Sequence, residues 1–191
     1  MPIKVSPTKL DITIANAVAE HAEPLPEFLA RTATYGADEK LLIALAGAFW
    51  IYAREEKPSL RLAANHILAV TVASAVLPHL LKRGFNQTRP DRRFLRAHRR
   101  GIPTSGKAKD AFPSGHAVHM GALASAATAL PPRYRNAVWT AASTLALSRI
   151  VILAHWTSDV LAGFTIGVAV ERLIRRATGF APSRQPRHPR R

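Results

Sequence analysis

Three short clusters in this 191-residue chain carry side chains able to do chemistry on an anion. The first, Lys82 to Pro90, reads KRGFNQTRP. Lys82 and Arg89 supply two cations, Gly84 frees the backbone between them, and Pro90 steers Arg89 away from helical geometry. A segment of this kind can wrap an anion. The second is Pro113-Ser114-Gly115-His116, at the predicted start of a helix. Unpaired N–H groups and the positive end of the helix dipole make such a start a ready anion site. Gly115 allows close approach, Ser114 can cap the helix or donate to a phosphate oxygen, and His116 beside a bound phosphate suits a general acid. The third, Ser148 to Asp159, reads SRIVILAHWTSD. Arg149 stands in an apolar helix, where an unpaired guanidinium costs at least about 2.5 kcal/mol, so it is expected to face a partner or a polar cavity. His155 and Asp159 are four residues apart and share one face if the helix continues through them. A carboxylate beside an imidazole fixes its tautomer and raises its basicity.

Each cluster also has a plainer reading. The first fits a solvated basic loop or anchors at a membrane edge, the second a simple serine cap, the third a structural His–Asp pair. His116 and His119 lie three apart, but no carboxylate on that helix completes a metal site. Taken together, the clusters hold three cations, a helix N-terminus and two histidines, one with a carboxylate. That inventory suits metal-free phosphoryl transfer: the cations stabilise the phosphoryl oxygens, one histidine attacks, and the other protonates the leaving oxygen.

The elements that must position these residues are apolar runs. Leu62–Leu81 is free of Asp, Glu, Lys and Arg, and as a helix it spans about 30 Å, the thickness of a bilayer core. Further runs are Leu41–Ala53, Ser114–Leu130, Asn136–Ala154 (interrupted by Arg149) and Val160–Ile174 (interrupted by Glu171). Several are rich in Ala and Gly, as expected where membrane helices approach closely. The predicted fold is therefore all-α: a multi-pass transmembrane bundle of five to six helices, with the site at one membrane face. Residues 1–39 form an amphipathic or interfacial helical segment broken near Pro24 and Pro26, 40–178 the core, and 179–191 a basic, Pro- and Arg-rich disordered tail. In an up–down bundle the three clusters converge on one end.

Composition narrows the partners. The formal charge is +15, so the chain seeks anions: nucleic acid, anionic membrane lipids or phosphate substrates. No recognisable nucleic-acid fold accompanies the charge, and no nucleic acid is expected. Cysteine is absent, which excludes disulfides and a cysteine nucleophile. The first 30 residues carry Asp11, Glu20, Glu23 and Glu27 and do not read as a cleavable signal peptide. Residues 82–112 hold ten Lys/Arg and the opposite face twelve, so the positive-inside rule does not orient the chain.

The three clusters resemble the signature of the type-2 phosphatidic-acid phosphatase superfamily: K-x6-RP, PSGH and SR-x5-H-x3-D, in that order. The specified positions fall on Lys82, Arg89, Pro90, Pro113, Ser114, Gly115, His116, Ser148, Arg149, His155 and Asp159. The resemblance covers about residues 40–175. It implies that His155 is the nucleophile of a phosphohistidine, that Asp159 orients it and that His116 protonates the leaving alkoxide. Lys82, Arg89, Arg149, Ser114 and Gly115 would hold the phosphate, with no metal and no cofactor. It implies a bacterial membrane lipid phosphatase acting outside the cytoplasm on phosphatidic acid, phosphatidylglycerophosphate or undecaprenyl pyrophosphate. A phosphotransferase with the same motifs, or a basic membrane-binding protein, are the alternatives. Many members of that family carry glycine two residues before the histidine; here Leu153 is expected to sit in helical geometry.

Overall fold

The computed structural model describes residues 2–21, 23–94 and 107–180. Among them are eight α-helices: α1 (Lys9–Glu20), α2 (Pro24–Tyr35), α3 (Glu39–Tyr52), α4 (Pro58–Gly84), α5 (Pro90–Phe94), α6 (Gly115–Ala126), α7 (Pro132–Val151) and α8 (Thr157–Thr178). The five apolar runs fall on helices, except that Asn136–Ala154 runs past the end of α7 into a turn, and the amphipathic stretch divides into α1 and α2 just before Pro24. One feature departs from an all-helical reading. Two-residue strands β1 (Ile3–Lys4) and β2 (Phe85–Asn86) pair in parallel, tying the N-terminal segment to the chain that leaves Lys82.

Starts and stops follow local chemistry. Thr8 caps α1 and forms a reciprocal box with Asp11, Asp38 caps α3, and Ser114 caps α6. Pro24, Pro58 and Pro132 sit in first turns, where a missing N–H costs nothing. The αL residue Gly179 ends α8. Phe180 then stacks on His66 at 4.3 Å, so positions 179 and 180, assigned from sequence to the tail, still pack on the fold. Residues 181–191 of the expected disordered tail lie outside the described residues, as do 95–106 of the long basic connection.

The seam between α6 and α8 is built on glycine. A Cβ on Gly121 would collide with the Phe164 carbonyl, and one on Gly167 with the Val118 carbonyl. Ala117, Met120, Ala124, Ala142, Ala146 and Val160 fill the core beside this seam. At the end away from the three motifs, a buried polar knot fastens α4, α6 and α8. Glu171 accepts from Ser125 (2.5 Å) and from Arg175 (2.7 Å), and lies 2.9 Å from His66 Nε2. His66 Nδ1 lies 3.0 Å from the Thr178 hydroxyl. With both His66 and Glu171 fully buried, only a knot with this many partners makes such groups tolerable.

Among the described residues one helix, α4, is long and apolar enough to cross a membrane. Sequence reading expected five or six. The shortfall has two physical sources. With 14 and 12 residues, α3 and α6 extend only about 21 and 18 Å. Helices α7 and α8 have 20 and 22 residues, but Arg133, Arg135 and Arg149 interrupt one and Glu171, Arg172, Arg175 and Arg176 the other. Even so, the bundle surface is apolar over long stretches. Leu45 and Ile51 on α3, Val76 and Leu80 on α4, Leu147 on α7 and Leu161 on α8 all point outward.

Candidate active site

The turn between α7 and α8 sets the centre of the site. Helix α7 stops at Val151, and Leu153 adopts a left-handed backbone with φ of 51°. The expectation that Leu153 is helical is therefore corrected. The chain must reverse within a few residues, and a left-handed residue makes the reversal. The Arg149 carbonyl accepts from the Ala154 and His155 amides (3.0 and 3.2 Å), and the Leu153 carbonyl accepts from the Asp91 amide (2.9 Å). Leu153 itself is buried against Ala15, Ala111 and Trp156.

His155 thus lies in a turn, not on a continuous helix. It still comes within 3.8 Å of Asp159, because Asp159 sits in the first turn of α8 and its Oδ2 accepts from the Trp156 amide at 2.9 Å. The nearer partner of the imidazole is the Ala111 carbonyl, 2.7 Å from Nδ1. A carbonyl can only accept, so Nδ1 carries the proton and Nε2 keeps its lone pair. Burial, reinforced by the positive charges of Arg89, Arg149 and Lys82, holds the His155 pKa well below its ordinary value. The ring is neutral, with Nε2 unprotonated.

Cations surround it. Chain segments around Gln87 and Asp110 run side by side: the Gln87 amide donates to Lys109, the Ala111 amide to Gln87, and the Arg89 amide to Ala108. This pairing sets Arg89 and Asp110 together, with Arg89 Nε donating to Asp110 Oδ1 at 2.8 Å. Arg89 Nη1 reaches the Ala154 carbonyl (3.0 Å) and His155 Nε2 (3.3 Å). Lys82, on the last turn of α4, lies 3.8 Å from Asp110 Oδ2. Arg149 is buried in α7 and donates from Nη1 to the Thr34 hydroxyl on α2 at 3.1 Å, so it faces a polar partner as its position demanded.

A cavity of about 480 Å³ is lined by Lys82, Arg89, Gly115, His116, Arg149 and His155 together. Six of the eight residues singled out from sequence share this wall. Ser114 and Asp159 stand behind it, both fully buried. The Ser114 hydroxyl accepts from the Ala117 amide at 3.5 Å, and its own amide donates to the Asp159 carbonyl at 3.2 Å. That bond joins the first turns of α6 and α8. Among the described residues no group of three His, Asp or Glu side chains could hold a metal ion.

Sequence reading missed several partners. Asp110, which bridges Lys82 and Arg89, is one of two carboxylates, with Asp91, in the basic stretch 82–112, and that contrast was the available signal. Asp11 is buried in α1 yet reaches across to α8, accepting from the Ser158 amide and hydroxyl at 2.8 Å each and from the Thr8 amide and hydroxyl at 2.8 Å each. Burial alone would raise the Asp11 pKa, but these hydrogen bonds outweigh it and hold the carboxyl below its ordinary value. Nothing local in the sequence signals a contact between positions 11 and 158. Thr34, the Ala111 carbonyl and the left-handed Leu153 were equally silent.

Comparison with known proteins agrees with this geometry. The lipid A 1-phosphatase of Rhizobium etli is 38% identical over 103 residues, which are 53% of this chain and 44% of that protein. The lipid A 1-phosphatase of Rhizobium johnstonii is also 38% identical over 103 residues, 53% of this chain and 42% of that one. The match therefore spans less than half the length of these relatives. In fold, the chain is similar to the crystal structure of Aquifex aeolicus LpxE, with a TM-score of 0.71 and 19% identity, covering 91% of this chain and 99% of that one. It is also similar to the transmembrane PAP2 type phosphatidylglycerolphosphate phosphatase from Bacillus subtilis, with a TM-score of 0.63 and 19% identity, covering 92% and 88%. The model of the PAP2 superfamily matches residues 63–181, a span that contains every side chain lining the cationic half of the cavity, and the chain belongs to that superfamily.

Proposed function

We propose that this protein is a membrane-embedded, metal-independent lipid phosphatase that works through a phosphohistidine on His155. The observation that carries the reading is His155 with its Nδ1 proton on the Ala111 carbonyl and its unprotonated Nε2 3.3 Å from Arg89 Nη1, in a cavity walled by Lys82, Arg89 and Arg149. The three cations bind the phosphoryl oxygens of a phosphomonoester. Nε2 attacks phosphorus, forming an N–P bond as the bond to the leaving oxygen breaks. His116, on the same wall, gives that oxygen its proton, and the oxygen departs on the alcohol product. His116, now neutral, then takes a proton from water, whose oxygen attacks phosphorus as the N–P bond breaks, which frees inorganic phosphate and restores His155. Asp159, 3.8 Å from Nδ1, stabilises the positive ring of the intermediate. Ser114 and Gly115 present the start of α6 to the phosphate.

The outward apolar residues of α3, α4, α7 and α8 support several membrane crossings; placing the site on the face away from the cytoplasm rests on the family resemblance. The names of the relatives support a lipid phosphate as substrate, and the basic connection suits anionic membrane lipids around it. The test is phosphate release from a panel of lipid phosphates by the detergent-purified protein with EDTA present, alongside His155→Ala. The expected result is release that survives chelation, is blocked by vanadate and is absent in the variant. Release abolished by EDTA, or retained by His155→Ala, overturns the mechanism.

A further inference from the structure

Two of the cations that line the cavity are backed by a carboxylate. Asp110 stands behind Lys82 and Arg89, off the wall that they form. Its Oδ1 accepts from Arg89 Nε at 2.8 Å, and its Oδ2 lies 3.8 Å from Lys82 Nζ. Holding Arg89 in place does not require this charge. The same Nε donates to the Lys107 carbonyl at 3.0 Å, and Nη1 donates to the Ala154 carbonyl at 3.0 Å. Two neutral acceptors therefore already orient the guanidinium. The separation from Lys82 is too long for a hydrogen bond, so what reaches that ammonium is charge. The Lys82 and Arg89 side chains are 18% and 6% exposed, and water screens charges so placed far less than charges at the surface.

We propose that Asp110 sets how tightly the cavity holds a phosphate anion, weakening the pull of Lys82 and Arg89 enough for inorganic phosphate to leave. It acts through the two cations and is a positioning residue. This rests on the phosphatase reading and adds how the cycle ends. Substrate and released phosphate present the same kind of charged oxygens to Lys82, Arg89 and Arg149. Added grip therefore holds the product as firmly as the substrate, and binding that is uniform lowers KM without raising kcat. A carboxylate behind two of the three cations offsets part of their field and leaves both side chains on the wall. Lys82, paired at a distance and carried on a flexible stem, is shared between Asp110 and the phosphate. After screening, repulsion between a carboxylate so placed and a bound phosphate dianion changes affinity by about tenfold.

The experiment measures the dissociation constant of inorganic phosphate by titration calorimetry on the full chain in detergent. It also measures kcat and KM on the lipid phosphate of the panel that wild type hydrolyses fastest. Wild type is compared with Asp110→Asn, which keeps an oxygen for Arg89 Nε and loses the charge, and with Asp110→Ser as a second neutral variant. Glu55→Gln removes a charge near the start of α4, the end away from Lys82, and controls for net charge. Thermal unfolding of each variant checks folding. Both Asp110 variants are expected to bind phosphate about tenfold more tightly, with KM lowered in parallel and no gain in kcat, while Glu55→Gln matches wild type. A carboxylate that only braced Arg89 predicts the opposite sign, weaker phosphate binding on its removal. Unchanged or weaker binding in the folded Asp110 variants overturns the proposal, as does a higher kcat or equal tightening in Glu55→Gln. No phosphate release from any lipid by wild type overturns the phosphatase reading itself, and the release role with it.

Discussion

Leu153 offers a sharp test, because its backbone and its side chain make opposite demands. Its φ of 51° lies in the left-handed region, which costs a residue with a Cβ about 1–2 kcal/mol. The side chain is fully buried against Ala15, Ala111 and Trp156, with Ile12 and Val18 of α1 packed beside them. Leu153→Ala keeps the backbone penalty and removes the side chain, so it should lose about 2–5 kcal/mol. Leu153→Gly loses the same packing but escapes the penalty, while glycine's freedom in the unfolded chain takes back about 0.5–1 kcal/mol. Glycine should therefore be more stable than alanine by about 0.5–1 kcal/mol, the reverse of the usual order, with both below wild type. A control pair at the exposed α7 position Leu147 should show the usual order, alanine above glycine by about 1 kcal/mol. The assay is denaturant unfolding in detergent for all four variants. If glycine is less stable than alanine at both positions, the left-handed turn before His155 is wrong.

Further outcomes follow from other contacts. Asp11→Ala removes the acceptor of four hydrogen bonds. It should cost about 1.5–3 kcal/mol of stability and lower kcat more than it raises KM, because Ser158 adjoins Asp159; Asp11→Asn should recover part of both. The depressed His155 pKa means that the unfolded chain takes up a proton near pH 6.5 that the folded chain refuses. Stability should therefore fall as pH drops below about 6.5, by up to about 1.4 kcal/mol per pH unit from this group. The slope should be shallower in His155→Gln, and an identical slope in that variant would exclude a buried neutral His155. Gly167→Ala places a Cβ on the Val118 carbonyl, so α8 must move from α6; phosphate release should drop at least about a hundredfold, whereas Gly47→Ala, which meets nothing nearby, should be silent.

The helices and the cationic half of the cavity were legible because they rest on local signals. The apolar runs, the break near Pro24 and the cap at Ser114 each act within a few residues of themselves. The convergence of Lys82, His116 and His155 needed only helix count and direction. What stayed hidden depends on distant contacts. The spacing of His155 and Asp159 pointed to a helix, yet the two are brought together by a turn and a helix start, which happen to produce a similar separation. The cavity wall of Asp38, Glu39, His79 and His119 joins three helices through side chains that look ordinary singly. Counting charge-free runs also says little of helix length: among the described residues α4 alone is long and apolar enough to cross a membrane, and α6 ends after 12 residues.

The polar knot of His66, Ser125, Glu171 and Arg175 has a consequence for how this bundle can change length. It grips α4, α6 and α8 at one end, while at the other the Ser114–Asp159 bond joins α6 to α8 and Lys82 of α4 pairs with Asp110 in the segment leading into α6. Each residue turns a helix by about 100° and lengthens it by about 1.5 Å. A single insertion between Asp159 and Glu171 would leave one end facing the wrong way whatever the other did. These helices can therefore vary only in near-whole turns and together, or not at all. Insertions and deletions are confined to the connections outside both grips, such as the turn between α3 and α4, and a design that shortens the bundle for a thinner bilayer must cut all three helices by the same number of turns.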